Sequence, residues 1–375
     1  MTVAVLDDLI ADILARGHVT LTAAEAEALS RAPATHATAP RLLCADAFNR
    51  GDYAAAVKHG KRAHVIRPDA ETEENLVSCM MRGGTWEDAI ALLSQSTRMS
   101  MTRRHSLLAE LHARAGQMEQ AHASGRKALK LKDAAVPQMS RRFAPATHVF
   151  DPEQPSRNII SFSLWGTNKR YLDGAIRNAV VARHLYPGWT ARFYIDASVA
   201  DPVRKALVAN GAQLRQVDNL PAARYGLFWR FLVEDDPEVL IYLVRDADAV
   251  LNIRERVAVQ GWLDSDKPFH VMRDYPSHCE LILAGLWGAH RGNIGQMGKR
   301  ILAYVKDHAA TTNDRTADQK FLASQVWPLM RDRLCCQDSA FGFGQTQLFN
   351  PSFPLPSWMH VGQDGGVLSP QPKPA

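Results

Sequence analysis

Two kinds of hydrophobic pattern divide the chain. Up to about residue 132 apolar residues recur at helical spacing, and beyond about residue 157 short apolar runs alternate with helical segments. Near the N-terminus, Leu6, Ile10, Ile13 and Leu14 share one face of a helix predicted from Val3 to Arg16. Thr22-x-x-Glu25 reads as a capping box before a short alanine-rich helix. Arg31 to Pro40, rich in Ala, Pro and Thr, reads as a connection. Further on, strands are predicted at Asn158–Leu164, Ala191–Ile195, Gln213–Val217, Val239–Val244 and Phe269–Arg273. Helices are predicted at Leu172–Tyr186, Pro202–Asn210, near Tyr225–Glu234 and at Arg254–Leu263, the first stopped by Pro187-Gly188 and the second closed by Gly211. This alternation predicts a mostly parallel, doubly wound α/β sheet. Asp133 to Pro155 carries Pro137, Pro145, Pro152, Pro155 and Arg141-Arg142, and reads as a linker. The predicted organisation is N-terminal helices over 1–36, helical repeats over 37–135, a linker over 136–156 and an α/β domain over 157–375.

The helical half repeats itself. Gly51-Asp52-Tyr53-x-x-Ala56 is followed by Gly84-Thr85-Trp86-x-x-Ala89 and Gly116-Gln117-Met118-x-x-Ala121, with glycines 33 and 32 residues apart. In each unit Gly ends one helix, a large residue packs back, and Ala lets two helices approach. Ala63 and Pro68 complete the first unit, and Ala128 holds the matching place in the third. The pattern resembles the tetratricopeptide repeat, whose period is about 34 residues. The second unit departs from it, with Ser96 where Ala is usual and no terminal Pro. The resemblance implies a helical solenoid whose groove could hold an acceptor or a protein partner.

Composition narrows the class. The chain has 375 residues, 46% apolar and 22% charged, as in a globular protein of two ordinary domains. No apolar run approaches membrane-spanning length, and Met1 to Asp8 lacks a basic leader region. Five cysteines without regular spacing indicate neither a zinc knuckle nor a disulfide framework. The expected location is the cytoplasm, or the periphery of the inner face of the membrane. A net charge of +5 fits an anionic donor or a membrane surface without pointing to nucleic acid.

The most telling chemistry ends the fourth strand. The apolar run Val239–Val244 leads into Arg245-Asp246-Ala247-Asp248. In open α/β sheets ligands bind outside the carboxyl ends of strands, and two carboxylates there suit Mg²⁺ or Mn²⁺. Such an ion could hold a diphosphate. The plainer alternative is two surface acids opening a turn.

The alternation and Asp246-x-Asp248 resemble the GT-A fold of nucleotide-sugar glycosyltransferases over roughly Arg157 to Gly362. Four other stretches resemble its retaining, glycogenin-like members. Ile159 to Gly166 matches the first strand, which implies base and ribose contacts by Ser163, Trp165 and Gly166, with Lys169, Arg170 and Tyr171 facing phosphate or base. Arg230, in Tyr225 to Leu232, matches an Arg facing the donor. Leu281 to Ala289 resembles the strand bordering the donor sugar, although Leu283 replaces the usual Asn. There Gly285 would admit the sugar, and Trp287 either stacks on it or lies in the core. Asp318-Gln319 resembles the pair near the reacting centre, and His360, in Met359 to Gly362, resembles a third metal ligand beside Asp246 and Asp248. The familiar Lys-Pro-Trp does not follow His360, so Lys169 or Arg170 would have to take over the diphosphate contact. Asp274 and Glu280, within Met272 to Glu280, are the candidate acids on the acceptor side.

The resemblance thus implies a metal-dependent, retaining hexosyltransferase-like enzyme. It would use a nucleotide-sugar, expected to be a UDP-sugar, and act on a glycan, a lipid-linked sugar or a protein. The alternative is a repeat-based binding protein with a degenerate transferase domain. Asp-x-Asp also serves phosphatases, but those place the acids after the first strand, and the chain has no P-loop.

Overall fold

A computed structural model of the protein describes residues 3–16, 19–138, 148–308, 315–356 and 359–365. Arg141, Arg142 and Pro145 of the predicted linker lie outside the described residues. The chain divides into two compact units, Met1–Ala128 and Leu129–Ala375.

The described part of the first unit is helical. It holds α1 (Val3–Ala15), α2 (Ala23–Ser30), α3 (Thr38–Asn49), α4 (Tyr53–Ile66), α5 (Ala70–Gly83), α6 (Trp86–Gln95), α7 (Met101–Arg114) and most of α8 (Met118–Ala135). The capping box at Thr22 and Glu25 is formed. Each repeat glycine makes the same turn. Gly51, Gly84 and Gly116 have φ of +78°, +80° and +76°. In each turn the next N–H reaches back five residues: Asp52 to Ala47, Thr85 to Met80 and Gln117 to His112, at 2.9, 3.0 and 2.8 Å. This is a Schellman ending, which needs the left-handed backbone that glycine supplies without strain. Ala56, Ala89 and Ala121 are fully buried. Ser96 is buried as well, and its hydroxyl donates to the buried Glu73 carboxylate. The departure from Ala therefore serves a polar pair.

The division between the units falls inside α8, ahead of the proline-rich stretch. Within the second unit Asp133 accepts from the Trp327 indole at 2.6 Å, and Lys132 pairs with Glu280 at 2.6 Å. Phe150 stacks on Trp189 with ring centroids 5.4 Å apart. The ends of the predicted linker are thus packed structure.

Among its described residues the second unit builds a seven-stranded sheet. Its strands are β1 (Asn158–Leu164), β2 (Thr190–Ile195), β3 (Gln213–Gln216), β4 (Ile241–Val244), β5 (Phe269–Arg273), β6 (Trp287–His290) and β7 (Leu334–Asp338). The order is β3-β2-β1-β4-β6-β5-β7, with β6 antiparallel to both neighbours and the other pairings parallel. The helices are α9 (Lys169–Leu185), α10 (Asp201–Ala209), α11 (Ala222–Tyr225), α12 (Ile253–Leu263), α13 (Met297–Asp307), α14 (Ala317–Phe321) and α15 (Trp327–Met330). The single helix predicted near Tyr225–Glu234 is instead α11 followed by a 3₁₀ segment, Gly226–Asp235.

One core joins Ile160, Phe162, Leu164, Phe193, Ile241 and Leu243 to Ala175, Ala179 and Tyr186 of α9 and Val259 and Trp262 of α12. A second group joins Phe228, Phe231, Tyr242, Trp287 and Phe321 in ring contacts of 5.5–6.3 Å. Trp287 is 0% exposed, so it belongs to the core and cannot stack on a sugar. Burial of such a ring contributes about 1.5–3 kcal/mol, whereas an indole on a ligand would have to stay open.

Candidate active-site cleft

The sheet runs from β1 outward to β2 and β3, and the chain then returns to lay β4 on the other side of β1. That reversal makes the carboxyl ends of β1 and β4 the expected binding crevice. A cleft of about 610 Å³ lies there, within the range of small-molecule sites.

The first strand holds Arg230 by its backbone. Ser161 and Ser163 lie two apart and so share one face of β1. The Ser161 hydroxyl donates to the Arg230 carbonyl at 2.6 Å, and the Arg230 N–H donates to Ser163 Oγ at 2.9 Å. Ser163 therefore lines the cleft with its hydroxyl already engaged. The Arg230 guanidinium is 5% exposed; it donates to Asp246 and, at 2.7 Å, to Asp318. Burial disfavours its charge, yet the two acids hold its pKa above the ordinary value. Burial pushes Asp318 up to about 6 despite Arg230.

Helix α9 shapes the turn that carries the two aspartates. Gly174 packs on it so closely that a Cβ would lie 2.5 Å from the Ala247 carbonyl and 2.8 Å from Asp248 Cα. The buried Asn178 amide donates to the carbonyls of Ala247 and Ala249 at 3.0 and 2.7 Å, and Arg177 donates to that of Asp248 at 2.9 Å. Asp248 is turned towards Arg170, whose Nη2 lies 2.6 Å from both Asp248 Oδ2 and Asp364 Oδ2. Burial and then the Asp246 charge raise the Asp248 pKa, with Arg170 opposing. Asp364 arrives on the C-terminal segment, where Gly365 N–H donates to the Asp248 carbonyl at 3.0 Å and Val250 N–H to that of Gln363 at 2.9 Å.

Trp165 rests on bare backbone at Gly226, where a Cβ would lie 2.9 Å from the indole. Gly166, at φ +74°, turns the chain off β1, and its N–H donates to Ser198 at 2.6 Å. Tyr171, half-buried, also faces the cleft.

Ten of the residues singled out from sequence line this cleft: Ser163, Trp165, Gly166, Arg170, Tyr171, Arg230, Asp246, Asp248, Asp318 and Gln319. The buried Trp287 and Glu280, which pairs with Lys132, do not, and neither do Lys169, Gly285, Asp274 and His360. Lys169 points to solvent and pairs with Asp173. Gly285 sits where a Cβ would overlap the Asp246 carboxylate, so its missing side chain makes room for that acid rather than for a sugar. Asp274 and His360 lie together elsewhere, in a group with His278. His360 is thus not placed as a third ligand beside Asp246 and Asp248, because its turn carries it to Asp274.

No protein-family model and no curated protein matches this chain. Among solved structures it is similar to a variant of an O-GlcNAc transferase from Thermobaculum terrenum, at 22% identity and a TM-score of 0.42. That similarity covers 65% of this chain and 47% of the other, so the chain spans about half of that protein's length.

Sequence reasoning missed Asp364, Arg315, Gly174 and Asn178. Asp364 and Arg315 line the cleft, and Gly174 and Asn178 shape it. Asp364 had one available signal. It follows the glycine turn at Gly362 by two residues, and chain just past a tight turn often re-enters a neighbouring element.

Proposed function

We propose that the second unit is a GT-A-like glycosyltransferase that binds a nucleotide-sugar in this cleft and transfers its sugar to a glycan, lipid-linked or protein acceptor. One observation carries the reading. Stretches far apart in sequence, namely 163–166, Arg230, Asp246 to Asp248, Ala284 and Asp318-Gln319, line a single cleft at the switch point of the sheet. Their convergence supports the resemblance more than any one motif does.

The residues divide the work by chemistry. Trp165 and Tyr171 offer flat faces to a base or sugar. Arg170 and Arg315 offer guanidinium forks for phosphate oxygens. Asp246 and Asp248 bring two carboxylates to one turn at the cleft, an oxygen pair that suits a hard divalent cation. Asp246 and Asp248 would hold Mn²⁺ or Mg²⁺, which when bound offsets charge on a departing nucleoside diphosphate. Arg230 keeps Asp246 and Asp318 oriented at the cleft floor. A retaining reaction is the version we adopt. Asp274 and Glu280, the candidate bases of an inverting one, do not line the cleft, and retention needs no side-chain base there.

In unit 1, a cavity of about 310 Å³ bordered by Arg41, Phe48, Asn49 and Asn75 is a place where the repeats could receive an acceptor or partner. No described helix is long and apolar enough to cross a membrane.

Calorimetric titration of the full chain with UDP- and GDP-sugars, with Mn²⁺ and with chelator, tests the proposal. We expect Mn²⁺-dependent binding that Asp248→Asn weakens by tenfold or more, about 1.4 kcal/mol. Absence of binding by every nucleotide-sugar would overturn the reading. Binding without turnover across an acceptor panel would favour the repeat-based binding protein.

A further inference from the structure

We propose that His278, His360 and Asp274 form a second cation site, separate from the aspartates of the cleft, that takes one zinc-class divalent ion and pins the 359–365 segment to the end of β5. The proposal stands independently of the transferase reading.

The three side chains come from two distant places. Asp274 directly follows β5, and His278 ends a turn in which its N–H donates to the Tyr275 carbonyl at 2.9 Å, with Pro276 in the position that favours such a turn. His360 opens a second turn, closed by the Gln363 N–H on the His360 carbonyl at 3.1 Å, with Gly362 at φ +74° as that turn type requires. Together the turns bring one ligand atom from each side chain within 4.8 Å of the others. Among the described residues, these are the His, Cys, Asp or Glu side chains that converge in this way. Ligand atoms around one tetrahedral ion, at bonds of about 2.0–2.2 Å, lie roughly 3.5 Å apart, so modest side-chain rotations close the set.

The surroundings of His360 are arranged as a metal ligand requires, while His278 Nδ1 accepts from the Asp274 N–H at a long 3.4 Å, a contact that an ion on that nitrogen would displace. His360 Nδ1 lies 2.8 Å from the Val361 carbonyl. A carbonyl only accepts, so Nδ1 carries the proton and the Nε2 lone pair is left for an ion. A ring N–H held by a backbone carbonyl is the usual support of a ligating histidine. The Val361 N–H donates to both oxygens of Asp274 at 3.2 Å, and Tyr275 stacks on the His360 ring at 4.4 Å. The His278 ring meets His360 edge-on at 4.8 Å. The side chains of Asp274 and His278 are 5% and 8% exposed. Asp274 has Arg254 only at 3.5 Å, whereas the cleft acids are already engaged at 2.7 Å or closer.

Ligand chemistry separates the two sites. Two imidazoles and one carboxylate suit zinc and its neighbours in the first transition row, whereas Asp246 and Asp248 offer oxygen alone and suit Mg²⁺ or Mn²⁺. Three protein ligands leave one position of a tetrahedral ion for water. The ion would act on the cleft through the chain, since the segment that supplies His360 also supplies Gly362 and Asp364 to the cleft wall.

The test uses the full chain, stripped of metal and titrated with Zn²⁺ against a chromogenic chelator. We expect one tight equivalent, retained in Asp248→Asn and weakened at least tenfold in His278→Gln and in His360→Gln. Zn²⁺ should also slow amide exchange over 360–365 in the wild type. Co²⁺ should give the visible absorption of a four- or five-coordinate nitrogen site in the wild type, which keeps the proposal testable if a variant misfolds. It is overturned if the wild type takes up no tight Zn²⁺, if both Gln variants keep wild-type affinity, or if Zn²⁺ leaves exchange over 360–365 unchanged.

Discussion

Arg170 meets Asp364 at 2.6 Å, and through the same nitrogen it also meets Asp248 at 2.6 Å. A cation supplied by the protein therefore stands where a divalent ion would compete for the same carboxylates. Arg170 is 46% exposed, so the pairs add little to stability, about 0–1 kcal/mol. Arg170→Ala should leave the melting temperature nearly unchanged and bind Mn²⁺ alone at least as tightly as wild type. It should bind a nucleoside diphosphate about tenfold more weakly, having lost a phosphate contact. Calorimetry with each ligand separately checks both halves, and weakened Mn²⁺ binding would contradict the competition.

By its position Arg230 resembles an Arg that faces the donor, and it lines the cleft. Its burial between Asp246 and Asp318 changes what its removal does. Arg230→Ala strands a buried carboxylate and should cost about 3–5 kcal/mol in urea denaturation. Adding Asp318→Asn should recover part of that loss, giving a non-additive double-mutant cycle. A loss under about 1 kcal/mol would place Arg230 outside the structural network.

Gly285 has no room for a methyl group beside Asp246. Gly285→Ala should push that carboxylate away and cost about 1–3 kcal/mol through overpacking. Mn²⁺ affinity should fall in parallel, at least tenfold. Unchanged metal affinity in a stably folded Gly285→Ala would show that Asp246 does not serve the ion.

His270 gives the fold a pH dependence. It is fully buried in β5, stacks on Trp262 at 5.3 Å, and its Nε2 lies 2.6 Å from Gln337. Burial, aided by the charge of Arg245, lowers its pKa to about 3. The unfolded chain takes up this proton near pH 6.5, so below that pH the unfolded state binds more protons than the folded one. The stability from keeping His270 neutral is complete above about pH 6.5 and is lost as pH falls towards 3, by up to about 1.4 kcal/mol per unit. Melting temperatures from pH 7 to pH 4 should decline less steeply in His270→Gln. Parallel curves would refute the assignment.

What the sequence determined by itself is what local physics sets. The turns at Gly51, Gly84 and Gly116 are legible because a left-handed helix ending depends on one residue and its immediate neighbours. β1 and β5 are legible, to their end residues, because buried strands are short apolar runs. Asp246 and Asp248 stand out because they follow such a run. Only the tertiary structure decided which groups meet. It placed β6 antiparallel between β4 and β5, put Trp287 in the core, gave Gly285 to Asp246, and sent His360 to Asp274 and Asp364 to Arg170. Each of these joins residues distant along the chain through packing and strand register. Spacing in sequence does not encode those contacts, because their free energy exists only once the sheet and its helices have closed around them.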